Sequence, residues 1–358
     1  MKAIVVRPPN EGVEVKDVTL SEPRDGKIVV RTRLSGLCGT DRGLVTGRLT
    51  FARPPPGYDF LILGHETLGE VVKGNGEFSP GDLVVPVVRR GCGSCLNCML
   101  GRQDFCETGR FTEIGIRGAH GTMREEFLED PKYLVKVPRE LGDEGVLLEP
   151  LSNVVKALTE MEYLQRRSWW RCDDSTYSCR TAVVLGSGPI GLLFSMALRS
   201  MGFRVIVANK RPPSQVESEI TRDIGATFLN TSEHEDLEPD LLVDTSGHPS
   251  AVVPLLPRIR KNGAVILFGT TGLERYELTA EEITTLVENN ILIFGSVNAS
   301  KADFQAGVNL LVEWKARYPG VLQKMITKRV SVEEAPQVLK EKVPGEIKTI
   351  IDWTARES

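Results

Sequence analysis

The chain has 358 residues, 41% of them hydrophobic and 26% charged, with 34 glycines and 21 prolines; this balance excludes a disordered or collagen-like polypeptide and suffices for two hydrophobic cores. A net charge of −4, from 44 basic and 48 acidic residues, gives no sign of an electrostatic grip on nucleic acid or an anionic membrane. The longest apolar run, Ile190 to Ala197 broken by Gly191 and Ser195, is too short to span a bilayer. The opening Met1-Lys2-Ala3-Ile4-Val5-Val6-Arg7 lacks the apolar core of a signal peptide, so a cytoplasmic globular protein is expected.

The first 150 residues carry short β-branched runs broken by glycine and proline: Ala3–Val6, Lys27–Leu34, Thr67–Val72 and Asp82–Val88. Each predicts a strand between turns. Helical periodicity is scarce here, which predicts a small irregular β-barrel with long loops, one of them holding Pro54-Pro55-Pro56. Near the strand ends stand Cys38-Gly39-Thr40-Asp41 and Gly64-His65-Glu66, and Glu149-Pro150-Leu151-Ser152 opens a later helix. A cysteine, a histidine and a carboxylate that leave one position open make a catalytic zinc site, a Lewis acid toward a bound oxygen. Taken singly, each residue has an ordinary alternative: Cys38 as a small core residue, His65 as a satisfied buried imidazole, Glu149 as a helix N-terminal charge.

Four of the seven cysteines fall in one stretch, Cys92-x2-Cys95-x2-Cys98-x7-Cys106. Four soft thiolates at this spacing match a tetrahedral structural zinc, with an iron–sulfur cluster as the rival, and in a cytosolic chain clustering points to metal before disulfide. Cys172 and Cys179 stand apart from that lobe and are expected as two free thiols, with a disulfide the alternative.

From Leu147 to Arg167 apolar positions recur at helical spacing, and the pattern then alternates. Thr181–Gly186 reads as a buried strand, Gly191–Met201 as a helix and Phe203–Ala208 as a second strand, with further strands at Leu241–Asp244, Ala264–Phe268 and Ile291–Gly295. Strands alternating with helices predict a doubly wound parallel sheet, an α/β fold. Between the first strand and helix lies Gly186-Ser187-Gly188-Pro189-Ile190-Gly191, the glycine-rich turn whose backbone approaches a pyrophosphate at a helix N-terminus. The next strand ends in Ala208-Asn209-Lys210-Arg211, without the carboxylate that would bind a ribose 2′-hydroxyl and repel a 2′-phosphate. NADP is therefore favoured, with NAD also accepted. Beyond Ala299 an amphipathic helix, Phe304 to Trp314, leads to strands at Val330–Val332 and Lys348–Asp352, a tail too short to fold alone and expected to complete the first domain.

In order, Cys38-Gly39-Thr40-Asp41, Gly64-His65-Glu66-x2-Gly69, Pro80-Gly81-Asp82, the cysteine lobe, Glu149-Pro150 and the glycine-rich turn resemble the zinc-dependent medium-chain alcohol and polyol dehydrogenases over essentially the whole chain. The resemblance is closest to the archaeal glucose dehydrogenases, through Arg89-Arg90-Gly91-Cys92-Gly93, Asp104-Phe105-Cys106-Glu107-Thr108-Gly109, Cys172-Asp173-Asp174 with Cys179-Arg180, and Ala208-Asn209-Lys210-Arg211. Two departures stand out: Asn75 lies between Gly74 and Gly76 where a glycine is usual, and Glu149 stands where the alcohol branch places cysteine.

The resemblance implies a GroES-like catalytic domain over 1–180 with a zinc lobe at about 90–110, a Rossmann domain over 181–297, and a return to the first domain over 298–358. It implies oxidation of D-glucose, and of related aldoses, at C1 to the aldonolactone, upstream of an Entner–Doudoroff route, by a homotetramer or homodimer with two zincs per subunit. Cys38, His65 and Glu66 or Glu149 would hold the catalytic zinc, Asp41 would fix the His65 tautomer, and Thr40 would take the first departing proton. Glu113, His120, Glu149 and Asn298 are the candidates for the sugar hydroxyls; Gly247, Gly269 and Asn298 are those for the nicotinamide end. A zinc polyol or L-threonine dehydrogenase shares almost every motif. A zinc-ribbon nucleic-acid binder and a noncatalytic nucleotide-binding relative are the alternatives outside that chemistry.

Overall fold

The computed structural model of the chain describes residues 1–22, 25–232, 237–269 and 274–355. The chain divides into two compact units, 1–152 with 298–358, and 153–297. Among the described residues no helix is long and apolar enough to cross a membrane.

The first unit is built on strand Ile28–Gly36, which alternates buried apolar residues with Arg31 and Arg33 on the outer face. That alternation lets it sit inside a seven-stranded sheet. The main path runs Leu134–Val137, Leu83–Pro86, Glu66–Lys73, Ile28–Gly36, Lys348–Asp352 and Ile326–Val330, with Glu126–Glu129 also paired to Ile28–Gly36. The outward arginines find cross-strand carboxylates, Arg33 to Glu70 at 2.7 Å and Arg31 to Glu126 at 3.3 Å. Inside, Ile28, Val30, Val71, Phe78, Val84, Phe127 and Leu134 form one apolar cluster; each such side chain contributes about 1.5–3 kcal/mol by leaving water.

Lys348–Asp352 pairs antiparallel with Ile28–Gly36, so the last strand completes the sheet of the first. The strand before it lies at Ile326–Val330, a few residues earlier than the β-branched run Val330–Val332 implied, because the short helix Val321–Met325 delivers the chain there directly.

The second unit carries six parallel strands in the spatial order Thr227–Asn230, Arg204–Asn209, Thr181–Leu185, Leu241–Asp244, Ala264–Leu267, Leu292–Gly295. Numbered along the chain this is 3-2-1-4-5-6, with the order reversing beside the first strand, where dinucleotides bind in such sheets. Thr181–Leu185 enters helix Pro189–Ser200 through the glycine-rich turn, with Pro189 at the first helical position. The helix can approach that closely because position 191 is glycine: a Cβ there would stand 2.0 Å from the Gly186 carbonyl oxygen.

Cys172 and Cys179 are joined in a disulfide, not free. The intervening loop folds on itself, with Cys172 N–H donating to Thr176 O at 2.8 Å and Ser175 N–H to Cys172 O at 2.9 Å. This brings the two Cα atoms to 5.9 Å, within bridging range. Tyr177 of the same loop stacks on Phe203 at 4.5 Å and meets Trp170 edge-on.

Candidate metal centres and dinucleotide site

Cys38 caps helix Gly39–Val45 at the exit of strand Ile28–Gly36, and its own N–H donates to Asp41 Oδ2 at 2.9 Å. Asp41 is fully buried, and its other oxygen stands 3.4 Å from His65 Nδ1. Neither of those facing atoms has another hydrogen-bond partner, so a small rotation of the ring would close the pair and leave Nε2 on the far side of the ring. Gly64, at φ 97°, turns the backbone into strand Glu66–Lys73, where Glu66 lies opposite Gly36, two residues before Cys38. Sheet register thus explains the convergence: donor atoms of Cys38, His65 and Glu66 lie within 4.8 Å of one another. Burial pushes the His65 imidazolium toward neutrality, but Asp41 and the Cys38 thiol outweigh it and hold the ring well above the usual histidine range.

Lys348, which the sequence reading did not single out, completes this cluster. It is fully buried, pairs with the Glu66 carboxylate and donates to Leu37 O at 3.0 Å. Burial disfavours its charge, but Glu66 first, then Cys38 and Glu149, hold its pKa above the ordinary lysine value. The available signal was a lysine at the head of a strand, Lys348–Asp352, that carries the apolar pair Ile350-Ile351 and every residue of which is buried, and buried ammonium groups need a counter-ion. Glu149, near the start of helix Leu148–Gln165, is buried and near enough to act on Lys348 electrostatically, but it is not part of the group formed by Cys38, His65 and Glu66. Thr40 sits half-buried on the Cys38 helix.

Glu113 is the hub of a second cluster. One carboxylate oxygen accepts from Arg89 Nε at 3.0 Å and from Asn298 Nδ2 at 2.8 Å, and the other accepts from Arg117 Nε at 2.6 Å. Burial pushes the Glu113 carboxyl up, and Arg89 and Arg117 outweigh it, holding it below the usual range. Asn298 takes φ 62° to make its contact, a conformation asparagine tolerates better than most residues. His120 is placed differently: its Nδ1 accepts from Ile62 N–H at 3.2 Å, and its ring stacks on Phe60 and meets Tyr58 edge-on. Burial, aided by the charge of Arg124, pushes its pKa down to about 4.

In the cysteine lobe the thiols of Cys92, Cys95, Cys98 and Cys106 lie within 4.8 Å of one another, with Cys92 Sγ 3.8 Å from Cys98 Sγ. A tetrahedron of sulfurs about 2.3 Å from zinc has edges of about 3.8 Å, so the donor set fits the metal in kind and spacing. Hydrogen bonds from Ser94, Thr108 and the Cys95 backbone pull the Cys92 thiol down to about 4, whereas burial pushes the Cys98 thiol up to about 12.

In the parallel-sheet unit, Asn209 Nδ2 donates to Ser187 Oγ in the glycine-rich turn at 2.7 Å, and Lys210 is exposed. Arg211 forks onto Glu217, Nη1 to Oε2 at 2.8 Å and Nη2 to Oε1 at 2.7 Å. Glu217 was missed from the sequence, although Ser214-x-x-Glu217 reads as a helix capping box; its reach to Ser187 and Arg211 depends on the tertiary fold. Gly247 and Gly269 meet backbone to backbone after the fourth and fifth strands, leaving 2.2 Å between a Cβ on Gly269 and Gly247 N.

Two family models match the chain, the alcohol dehydrogenase GroES-like domain over residues 24–139 and the glucose dehydrogenase C-terminus over residues 142–353. The chain is 97% identical over 358 residues, the full length of both, to glucose 1-dehydrogenase of Metallosphaera sedula. It is 42% identical to glucose 1-dehydrogenase 2 of Saccharolobus solfataricus, over 99% of this chain and 100% of that one. Among solved structures it superimposes on Haloferax mediterranei glucose dehydrogenase in complex with NADP, zinc and gluconolactone, with a TM-score of 0.87 and 29% identity over 99% of this chain and 100% of that one. With both of its halves matched and a relative nearly identical from end to end, the chain belongs to the glucose 1-dehydrogenase family of the zinc-dependent medium-chain dehydrogenases.

Proposed function

We propose that this protein oxidises D-glucose, and related aldoses, at C1 to the aldonolactone, the C1 hydride passing to NADP⁺ or NAD⁺ and the hydroxyl proton to solvent. The observation that carries this reading is the convergence of Cys38, His65 and Glu66, with Asp41 behind the histidine. The near-identical glucose 1-dehydrogenase and the Haloferax complex with NADP, zinc and gluconolactone support it.

Cys38, His65 and a carboxylate, Glu66 or Glu149, would hold the catalytic zinc, and Cys92, Cys95, Cys98 and Cys106 the structural one. The catalytic zinc, when bound, supplies Lewis-acid polarisation of a hydroxyl oxygen, and the nicotinamide accepts the hydride. Asp41 keeps a proton on His65 Nδ1, which leaves Nε2 free as a donor to metal. Thr40 Oγ1 takes the C1 hydroxyl proton and passes it outward. Glu113, Glu149 and Asn298 receive the other sugar hydroxyls, which a simple alcohol does not supply, so it is disfavoured; His120, enclosed by aromatic rings, serves packing. Gly186, Ser187, Gly188, Pro189, Ile190 and Gly191 cradle the pyrophosphate, Asn209, Lys210 and Arg211 take the adenosine ribose and its 2′-phosphate, and Gly247, Gly269 and Asn298 serve the nicotinamide end.

We assign substrate oxidation to the unit 1–152 with 298–358 and dinucleotide binding to 153–297, in a cytoplasmic homotetramer or homodimer. Support for self-association comes from the edge strand Leu292–Gly295 and helix Ala280–Glu288, which leave Ile293, Ile283 and Val287 exposed. Light scattering reads the assembly. The test of function is NADPH formation with D-glucose before chelation, after it, and with zinc restored. Activity lost and recovered supports the reading, and cofactor binding without turnover of any aldose overturns it.

A further inference from the structure

Glu217 is 3% exposed, yet every acceptor position of its carboxylate is used. Oε1 accepts from Ser187 Oγ at 2.5 Å and Arg211 Nη2 at 2.7 Å; Oε2 accepts from Arg211 Nη1 at 2.8 Å and Ser214 N–H at 2.7 Å. A carboxylate so filled cannot receive ribose hydroxyls itself. Its four bonds instead tie together the glycine-rich turn, the end of the second strand of the parallel sheet and the start of helix Gln215–Asp223. Arg211 is fixed by this fork, but its side chain is 51% exposed, and its Nε–H has no partner among the described residues. A guanidinium in that state has half its surface available to an incoming phosphate and, without one, keeps its charge matched from behind.

We propose that Glu217 is a specificity-determining positioning residue: an internal counter-ion that holds Arg211 at the adenosine ribose and keeps its charge balanced when no 2′-phosphate is present, so that one site accepts both NADP and NAD. The proposal rests on the dinucleotide reading above. Without Glu217, Arg211 would face an unphosphorylated ribose as an unbalanced cation, while a 2′-phosphate would meet the full guanidinium charge without a carboxylate behind it. Phosphate preference therefore rises when the carboxylate is neutralised.

The test uses Glu217→Gln, because glutamine at the third helical position preserves the capping box with Ser214 while it removes the charge and, with it, the acceptor positions of the oxygen that faces Ser187 and Arg211. Calorimetry on the full chain gives Kd values for 2′,5′-ADP and for 5′-AMP. In Glu217→Gln the ratio of the AMP constant to the ADP constant increases by about fivefold, the scale of one half-exposed ion pair, and KM for NADP falls relative to KM for NAD. In the background of Arg211→Met the same substitution leaves the ratio unchanged, because Glu217 acts through Arg211. A ratio that stays constant or drops in Glu217→Gln, or that shifts equally with Arg211 absent, overturns the proposal. Wild-type protein that binds neither nucleotide overturns the dinucleotide reading and the proposal with it.

Discussion

Each of the two units contains a buried glutamate paired with a cation, and the pairs differ in what the cation faces. In the barrel unit Lys348 is 1% exposed and Glu66 3%, and the ammonium is enclosed by Glu66 and Leu37 O. In the parallel-sheet unit Glu217 is just as enclosed but Arg211 is half-exposed. In the first pair the cation is closed off on both sides, so Lys348 acts only through the residues around it. The second is closed on one side, so it presents a positioned charge to solvent and ligand. Geometry around the cation, more than burial of the acid, separates an internal strut from a ligand-facing device.

The largest effect expected from this contrast is at Lys348. Lys348→Met leaves the Glu66 carboxylate buried without its cation, and removing one partner of a buried pair costs about 3–5 kcal/mol. Arg211→Met leaves Glu217 with the Ser187 and Ser214 bonds and water nearby, at a cost of about 1–2 kcal/mol. Urea unfolding of both variants measures the difference, and equal losses would dissolve the comparison. Adding Glu66→Gln to Lys348→Met removes the orphaned charge and recovers more than half of the loss.

The cysteines sharpen the comparison at intermediate size. The barrel unit has four thiols poised around one point, whereas the parallel-sheet unit has a covalent bridge, Cys172–Cys179, closing a short loop. Replacing both bridge cysteines by serine costs about 2–3 kcal/mol on the loop-entropy scale. Hydrogen exchange reads where stability is lost: reductant should release protection around 170–180 and leave the lobe at 92–106, and chelator should do the reverse. Loss in both places under either treatment contradicts independent reinforcement of the two units.

These contrasts were unequally legible in the sequence. The strand–turn–helix around Gly186 follows from hydrophobic period and turn residues, which are local signals, whereas the return of the tail to the first domain was expected from its length, too short to fold alone. The cysteine lobe was readable because its spacing restricts the chemistry it can do, whereas Cys38 and His65 were singled out by the ordered motifs that carry the family resemblance. Lys348 and Glu217 were not readable as partners: Lys348 lies 282 positions from Glu66 and Glu217 lies 30 from Ser187, and no local pattern reports a pairing made by sheet register or helix docking. His120, in a glycine-flanked loop, was read as a candidate for the sugar hydroxyls. The aromatic rings of Phe60 and Tyr58, together with the Ile62 N–H, occupy it in the fold. The Cys172–Cys179 bridge was masked by the expectation of a reducing cytosol.

The smallest effect concerns acid. Burial pushes the Glu217 carboxyl up, but Arg211 and Ser187, with Ser214, outweigh it and hold the group at about 2, below its ordinary 4.5. A carboxyl depressed in the folded state contributes stability that is complete above the ordinary value and is lost as pH falls toward the folded one. The advantage of wild type over Glu217→Gln in urea midpoint should therefore be constant from pH 7 to about pH 5, shrink below 4.5, and be about half gone by pH 3. The capping box survives in the glutamine variant, so the pH-dependent part reports the carboxylate charge and not the helix start. A midpoint difference that stays level down to pH 3 would mean that hydrogen bonds independent of charge hold the cluster. Arg211 would then be placed by shape alone, and the open pair would lose the electrostatic character that separates it from the closed one.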